Sequence, residues 1–138
     1  EHTVATANIK TAVRCQKTGK SLDFIRRALA KCDTLDVSLL TQASVESFDA
    51  IIAYLNTTEY SGAAEALTQS ASAFERWCDN RLIEKIRPQK YETSTIGPLA
   101  AWLLARENEI KTVRILLSGK RNGLSDDAIR ERLREMYV

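Results

Sequence analysis

The residue types that most often make and break bonds are thinly spread along this 138-residue chain. His2 is the only histidine, and Cys15, Cys32 and Cys78 stand far apart with no Cys-x-x-Cys pair. A structural zinc site needs about four clustered nitrogen or sulfur ligands, and that clustering is missing. A Ser/His/Asp or Cys/His nucleophile system would have to recruit His2. Glu75 and Asp79 are carboxylates at i, i+4, which places both on one helix face. Arg76 and Arg81 beside them point to a salt-bridged face instead. Gly119 and Gly123 read as helix-stop and turn residues, since the phosphate-loop pattern G-x-x-x-x-G-K-[ST] is absent. The chain therefore offers no catalytic residue, no metal ligand set, no cofactor site and no small-molecule substrate to assign.

Composition fits a protein that binds partners through helices. The apolar fraction is 44% and the charged fraction 28%, ordinary for a soluble domain. Only five Gly and two Pro supply turns, so long helices are expected and a many-stranded sandwich is not. A net charge of +2 is too small to mark a nucleic-acid surface. Three unpaired cysteines suit a reducing, cytoplasmic setting. The longest apolar run, Pro98 to Ala105, ends at Arg106 and falls well short of the roughly 20 residues that span a bilayer. No signal peptide is visible. The only methionine is Met136, so the chain is expected to be a piece of something longer.

Apolar periodicity and punctuation lay out the elements. A helix is expected over residues 3–18, ending at Gly19. Ser21 should cap a second over Leu22 to Ala30. Asp36 should cap a short turn through Leu40, and Ser44 should start a helix carrying Val45, Phe48, Ile51, Ile52 and Leu55. A boundary falls near residues 56–70. From Ser70 a longer helix bears Phe74, Trp77, Leu82 and Ile86 and stops at Pro88, and residues 88–97 read as a loop. Pro98 suits the first turn of the next helix, whose apolar stripe is Leu99, Trp102, Leu103, Ile110, Val113 and Leu117. Trp77 and Trp102 are expected to anchor a core between these two helices. Arg106 interrupts the stripe and needs a partner, which Glu75 or Asp79 could supply. Ser125 should cap a last helix from Asp126 to Met136, acidic early and basic late as the helix dipole favours.

The chain also echoes itself. Residues 8–20 align without gaps on 108–120, with Asn8/Asn108, Val13/Val113, Arg14/Arg114, Gly19/Gly119 and Lys20/Lys120 identical. A serine-capped short helix follows each copy, as repeated helical units would show.

The stretch Glu107-Asn-Glu-Ile-Lys111-Thr-Val-Arg114-Ile-Leu-Leu-Ser-Gly119-Lys-Arg-Asn-Gly123-Leu-Ser-Asp-Asp-Ala-Ile-Arg130-Glu-Arg-Leu-Arg-Glu-Met-Tyr137-Val resembles the C-terminus of the C subunit of V/A-type ATP synthases, a relative of the d subunit of eukaryotic V-ATPases. Asn8-Ile-Lys-Thr-Ala-Val-Arg14 resembles the matching stretch of the preceding unit in that family. The resemblance implies an all-α fold: a bundle of repeated helical-hairpin units within a funnel-shaped protein of three such units. Residues 1–69 would be the middle unit, truncated at its N-terminus, and 70–138 the C-terminal unit. It further implies a non-catalytic rotor adaptor without cofactors. Cytoplasmic and peripheral on the membrane, this adaptor would link the central-stalk shaft to the proteolipid ring in proton or sodium transport. Self-association through the truncation surface is a further expectation.

The partner-binding residues carried over are Asn8, Arg14, Glu107, Asn108, Lys111 and Arg114, the arginines meeting acidic or carbonyl groups of the shaft. Each has a plainer reading. The arginines could bridge to a carboxylate of their own domain or cap neighbouring helix C-termini, the asparagines could pack at helix crossings, and Glu107 with Lys111 could be a solvated i, i+4 pair. A different function class would read 123–134 as a DNA-binding helix-turn-helix. Asp126, Asp127, Glu131 and Glu135 would repel phosphates there. A small α-helical hydrolase finds no residue set to support it.

Overall fold

The computed structural model describes residues 1–137 and divides into two compact helical units, the first Glu1–Ser70 and the second from Ala71 onward. Among the described residues there is no strand.

The first unit holds α1 (His2–Lys17), α2 (Leu22–Ala28), α3 (Val37–Glu46), α4 (Phe48–Asn56) and α5 (Ser61–Gln69). Its helix starts follow from capping: Ser21 accepts the Phe24 N–H, and Asp36 accepts those of Ser38 and Leu39 at 2.8 and 3.1 Å, so orphan donors of the first turn are satisfied. The expected break at Ser44 is absent. Its hydroxyl donates to the Leu40 carbonyl one turn back at 2.6 Å, so α3 continues through it. Ser47 is the cap instead, accepting the Ala50 N–H at 3.0 Å.

Both sides of α1 are covered. Ala5, Ile9 and Ala12 have no exposed surface, and α2, α3 and α4 all lie against α1. Small Ala5 and Ala12 let the neighbouring backbones approach while Ile9, Ile25, Leu40, Ile51 and Leu55 fill the interior. Asn8 fixes the chain leaving α2. Its amide donates to the Ala30 carbonyl at 2.8 Å and its oxygen accepts the Ala30 N–H at 2.9 Å. Tyr60 closes the unit, its hydroxyl 2.7 Å from that of Thr34 and its ring stacked on His2. Burial pushes the Tyr60 phenol above its ordinary range.

The second unit holds α6 (Ala71–Ile86), a 3-10 segment (Arg87–Tyr91), α7 (Gly97–Arg121) and α8 (Asp126–Arg130). Part of the expected loop is thus a 3-10 turn carrying Pro88 early, where its missing N–H costs nothing. α6 meets α7 through Ile83, Ile86, Ala101 and Ala105, with Leu82, Leu104 and Tyr137 around them.

The buried face of α7 is not the one its large apolar residues mark. Ala101, Ala105, Asn108 and Gly119 are buried. Leu99, Leu103 and Leu117 are exposed, and Trp102 is 55% exposed. Positions two apart on a helix point about 200° apart, so residues 101 and 103 face opposite ways. Small side chains win the inner face because they allow α6 and α8 to come close. Trp77 is half-buried and stacked with Phe74, but Trp102 is not a core anchor of its unit. Trp102→Ala should therefore cost less than about 1 kcal/mol in urea unfolding, against about 3–5 kcal/mol for a core tryptophan.

The last helix is also shorter than expected. α8 ends at Arg130, and residues 133–137 run without helix. Side chains of α6 and α7 take the Glu135 backbone out of any helical ladder: Asn80 Oδ1 accepts its N–H at 2.9 Å, and Asn108 Nδ2 donates to its carbonyl at 2.8 Å.

Candidate partner-binding surface

The two echoed segments build the same turn. At the end of α1, the N–H groups of Thr18, Gly19 and Lys20 donate to the carbonyls of Arg14, Gln16 and Cys15 at 3.0–3.1 Å. At the end of α7, those of Asn122, Gly123 and Leu124 donate to Ser118, Lys120 and Gly119 at 3.0–3.1 Å. Gly19 (φ 59°) and Gly123 (φ 68°) both take the left-handed conformation that helix stops demand and that glycine adopts without steric cost. Gly123 is therefore the counterpart of Gly19, which corrects the pairing with Gly119. The second copy carries four extra residues between its asparagine and its turn, about one helical turn, so the asparagine stays on the same face. Gly119 lies inside α7 against α8, where an added Cβ would stand 2.7 Å from Ile129 Cγ1. Ser125 caps α8 by accepting the Ala128 N–H. A hydrogen bond from Lys120 to Asp126 spans the turn and holds the Asp126 carboxyl below its usual range.

The six candidate residues fall into three settings. Asn8 and Asn108 are 3% and 4% exposed, and each ties its helix to the chain beyond the following short helix. Asn8 uses both ends of its amide. Asn108 uses only its nitrogen, leaving Oδ1 and the nearby Thr112 hydroxyl without a partner among the described residues. Lys111 is half-exposed and donates to Asp79 Oδ1 at 2.8 Å, so it does not pair with Glu107. Arg14, Glu107 and Arg114 are exposed. Among the described residues no ion pair or side-chain hydrogen bond holds them, so the intradomain bridges envisaged for the two arginines are not made. Arg114 borders a cleft of about 280 Å³ between α7 and α8, floored by Ile115, Leu124 and Ile129, with Ser118 and Arg132 on its rim.

Arg106 finds its partner within its own helix. It meets Glu109 at 2.5 Å and lies over the Trp102 ring at 5.9 Å. Asp79, a partner expected for it, is engaged by Lys111 and by Arg134 Nε at 2.9 Å. Together Asp79, Asn80 and Arg134 form a polar clamp that sequence reading missed. Arg87 extends it, donating to the Met136 carbonyl at 3.0 Å. These partners lie 32 to 55 residues apart, and no local pattern announces such pairs.

The remaining features offer little chemistry. Among the described residues no cluster of His, Cys, Asp or Glu could hold a metal ion, and no helix is long and apolar enough to cross a membrane. Among the described residues Cys15, Cys32 and Cys78 form no disulfide. The helix within residues 123–134 is the five-residue α8, too short to lie along a major groove as a recognition helix does.

Comparison with known proteins adds an independent line. A family model described as ATP synthase (C/AC39) subunit matches residues 1–132. The C subunit of the A-type ATP synthase of Desulfurococcus sp. (strain SY) is 31% identical over 130 residues, covering 90% of this chain and 35% of that protein. Its counterpart in the A-type ATP synthase of Thermococcus kodakarensis is 28% identical over 129 residues, with the same two coverages. The C subunit of the V-type sodium ATPase of Enterococcus hirae is 29% identical over 139 residues, covering 94% of this chain and 41% of that protein. The chain thus spans somewhat over a third of the length of these relatives. No solved structure matches it at comparable significance.

Proposed function

Because the chain belongs to the ATP synthase (C/AC39) subunit family, we propose that it is part of a non-catalytic adaptor in the central stalk of a V/A-type rotary ATP synthase or ATPase. The adaptor links the central shaft to the membrane proteolipid ring, peripheral on the cytoplasmic side, and passes torque between ATP chemistry and ion translocation. Residues 1–69 are then the middle, and 70–138 the last, of three helical units in the whole adaptor. One observation carries the reading beyond family membership. Arg14 and Arg114 each lie six residues after the asparagine of their repeat copy, exposed and, among the described residues, in no ion pair or side-chain hydrogen bond. An unpaired arginine fork suits carboxylate or carbonyl groups of a partner. We assign Arg14, Glu107 and Arg114 as contact residues, with Lys111 beside them. Asn8 and Asn108 then act as positioning residues, because their amides are spent inside each unit.

The double variant Arg14→Glu with Arg114→Glu tests this. Binding to purified shaft subunits should weaken at least tenfold (about 1.4 kcal/mol) and more steeply at low salt. Helicity and thermal midpoint should hold. Undiminished binding, or a matching loss of stability, would count against the assignment.

A further inference from the structure

The cleft between α7 and α8 joins an apolar floor to a cationic rim. Ile115, Leu124 and Ile129 form the floor, and Arg114 and Arg132 stand at the rim beside Ser118. No carboxylate is among the residues that line it. Both arginines are exposed, and among the described residues neither guanidinium makes an ion pair or a hydrogen bond. The acids that open α8 are engaged elsewhere, Asp126 by Lys120 and Asp127 by Arg130. Two unpaired cations at the mouth of one apolar cleft concentrate positive potential there and draw an anion.

The turn itself does not require this chemistry, as the first unit shows. Counting from the matched glycines Gly19 and Gly123, residues Leu124, Ile129 and Arg132 correspond to Lys20, Ile25 and Ala28. The isoleucine that packs under the turn is common to both copies, Ile25 and Ile129 being 0% and 3% exposed. Leu124 on the floor and Arg132 on the rim belong to the second copy alone. The rim also carries the Ser118 hydroxyl, whose oxygen accepts from Asn122 Nδ2 at 3.3 Å.

We propose that this cleft captures the C-terminal residue of a partner protein, with its apolar side chain on Ile115 and Leu124 and its α-carboxylate on Arg114 and Arg132. Size, floor and charge together select that occupant. The volume of about 280 Å³ lies below the roughly 300–1,000 Å³ of small-molecule and cofactor sites, so it suits one large side chain. A phosphate group or a nucleic-acid backbone would set charge against the apolar floor, at a cost in desolvation. The ligand must therefore hold a carboxylate directly beside an apolar group, and a chain-terminal residue carries both on one carbon. Capture of a terminal carboxylate is a recurring mode of peptide recognition, and a guanidinium meets a carboxylate through paired N–H groups. Arg114 is shared with the shaft contact proposed above, but the cleft is read from Arg132 and the apolar floor and does not depend on the rotary role.

The test uses the full chain and short dye-labelled Gly-Ser peptides, with no shaft subunit present, so that failure here and failure of the rotary reading are separate results. One peptide ends in leucine as the free acid, a second in the same leucine as its amide, and a third in serine as the free acid. Fluorescence anisotropy should show the leucine acid binding at least tenfold more tightly than either of the others (about 1.4 kcal/mol). Arg132→Ala should weaken the leucine acid about tenfold, as loss of a charged hydrogen bond does, and leave the amide unchanged. Leu124→Ser should bring the leucine acid down toward the serine acid. Circular dichroism should be unchanged in both variants. Equal binding of acid and amide, equal binding of the two acids, or binding of none at millimolar concentration would overturn the proposal. So would equally tight binding of an amidated peptide with aspartate before its leucine, which would place an internal acidic side chain in the cleft instead.

Discussion

Asp79→Ala should destabilise the second unit by about 3–5 kcal/mol, the usual cost of removing one partner from a buried ion pair. Asp79 is 9% exposed and accepts from both Lys111 and Arg134. Lys111 is half in water and will be resolvated. The Arg134 side chain is only 8% exposed, and it would keep just its bond to the Arg132 carbonyl. A guanidinium so placed either stays under-satisfied or leaves for solvent, taking the tail with it. The tail is the readout. Amide exchange at Glu135, whose N–H is held by Asn80, should accelerate together with tryptic cleavage after Arg134. The amides of Ile9 and Ile51, buried in the first unit, should keep their protection. Asp79→Asn retains an acceptor without the charge and should fall between the two. A loss below about 1 kcal/mol for Asp79→Ala would mean that apolar contacts such as Tyr137 hold the tail instead.

The second large effect is expected where α7 and α8 touch. Gly119→Ala should cost about 1–3 kcal/mol, typical of overpacking, although alanine is intrinsically the better helix residue by about 1 kcal/mol. The added methyl would lie 2.7 Å from Ile129 Cγ1 and 3.0 Å from its Cδ1. Ile129 is 3% exposed, and its β-branched side chain has one strongly preferred rotamer in a helix, so it cannot swing aside. The double variant with Ile129→Ala should recover much of the loss, because both clashing carbons are then gone. A double-mutant cycle by urea unfolding measures that coupling. Gly119→Ala alone raising stability would show that α8 shifts freely.

What could be read from the chain was whatever local chemistry decides. Ser21, Asp36 and Ser125 cap the helices they precede, and Gly19 ends α1. The all-α architecture follows from scarce turn residues, and the family from the run 107–138. The misreadings share a cause: they concern which face meets what. Leu99, Trp102 and Leu117 mark an apolar stripe, but Ala101, Ala105 and Gly119 face the interior because close helix approach favours small side chains. Ser44 has a cap's identity, yet its hydroxyl finds a carbonyl one turn back. The expected final helix stops at Arg130 because Asn80 and Asn108, distant in sequence, claim the Glu135 backbone. Of the candidate contact residues, Arg14, Glu107 and Arg114 are exposed. The plainer reading of Asn8 and Asn108, packing at helix crossings, agrees with their burial, but nothing in the sequence showed that Lys111 belongs to Asp79.

The most direct measurement is affinity capture of the motor's purified shaft subunits and detergent-solubilised proteolipid ring by this chain. The account predicts that both are retained together and that Arg14→Glu with Arg114→Glu releases the shaft. Retention of neither, with tight salt-sensitive binding to duplex DNA in their place, would contradict it.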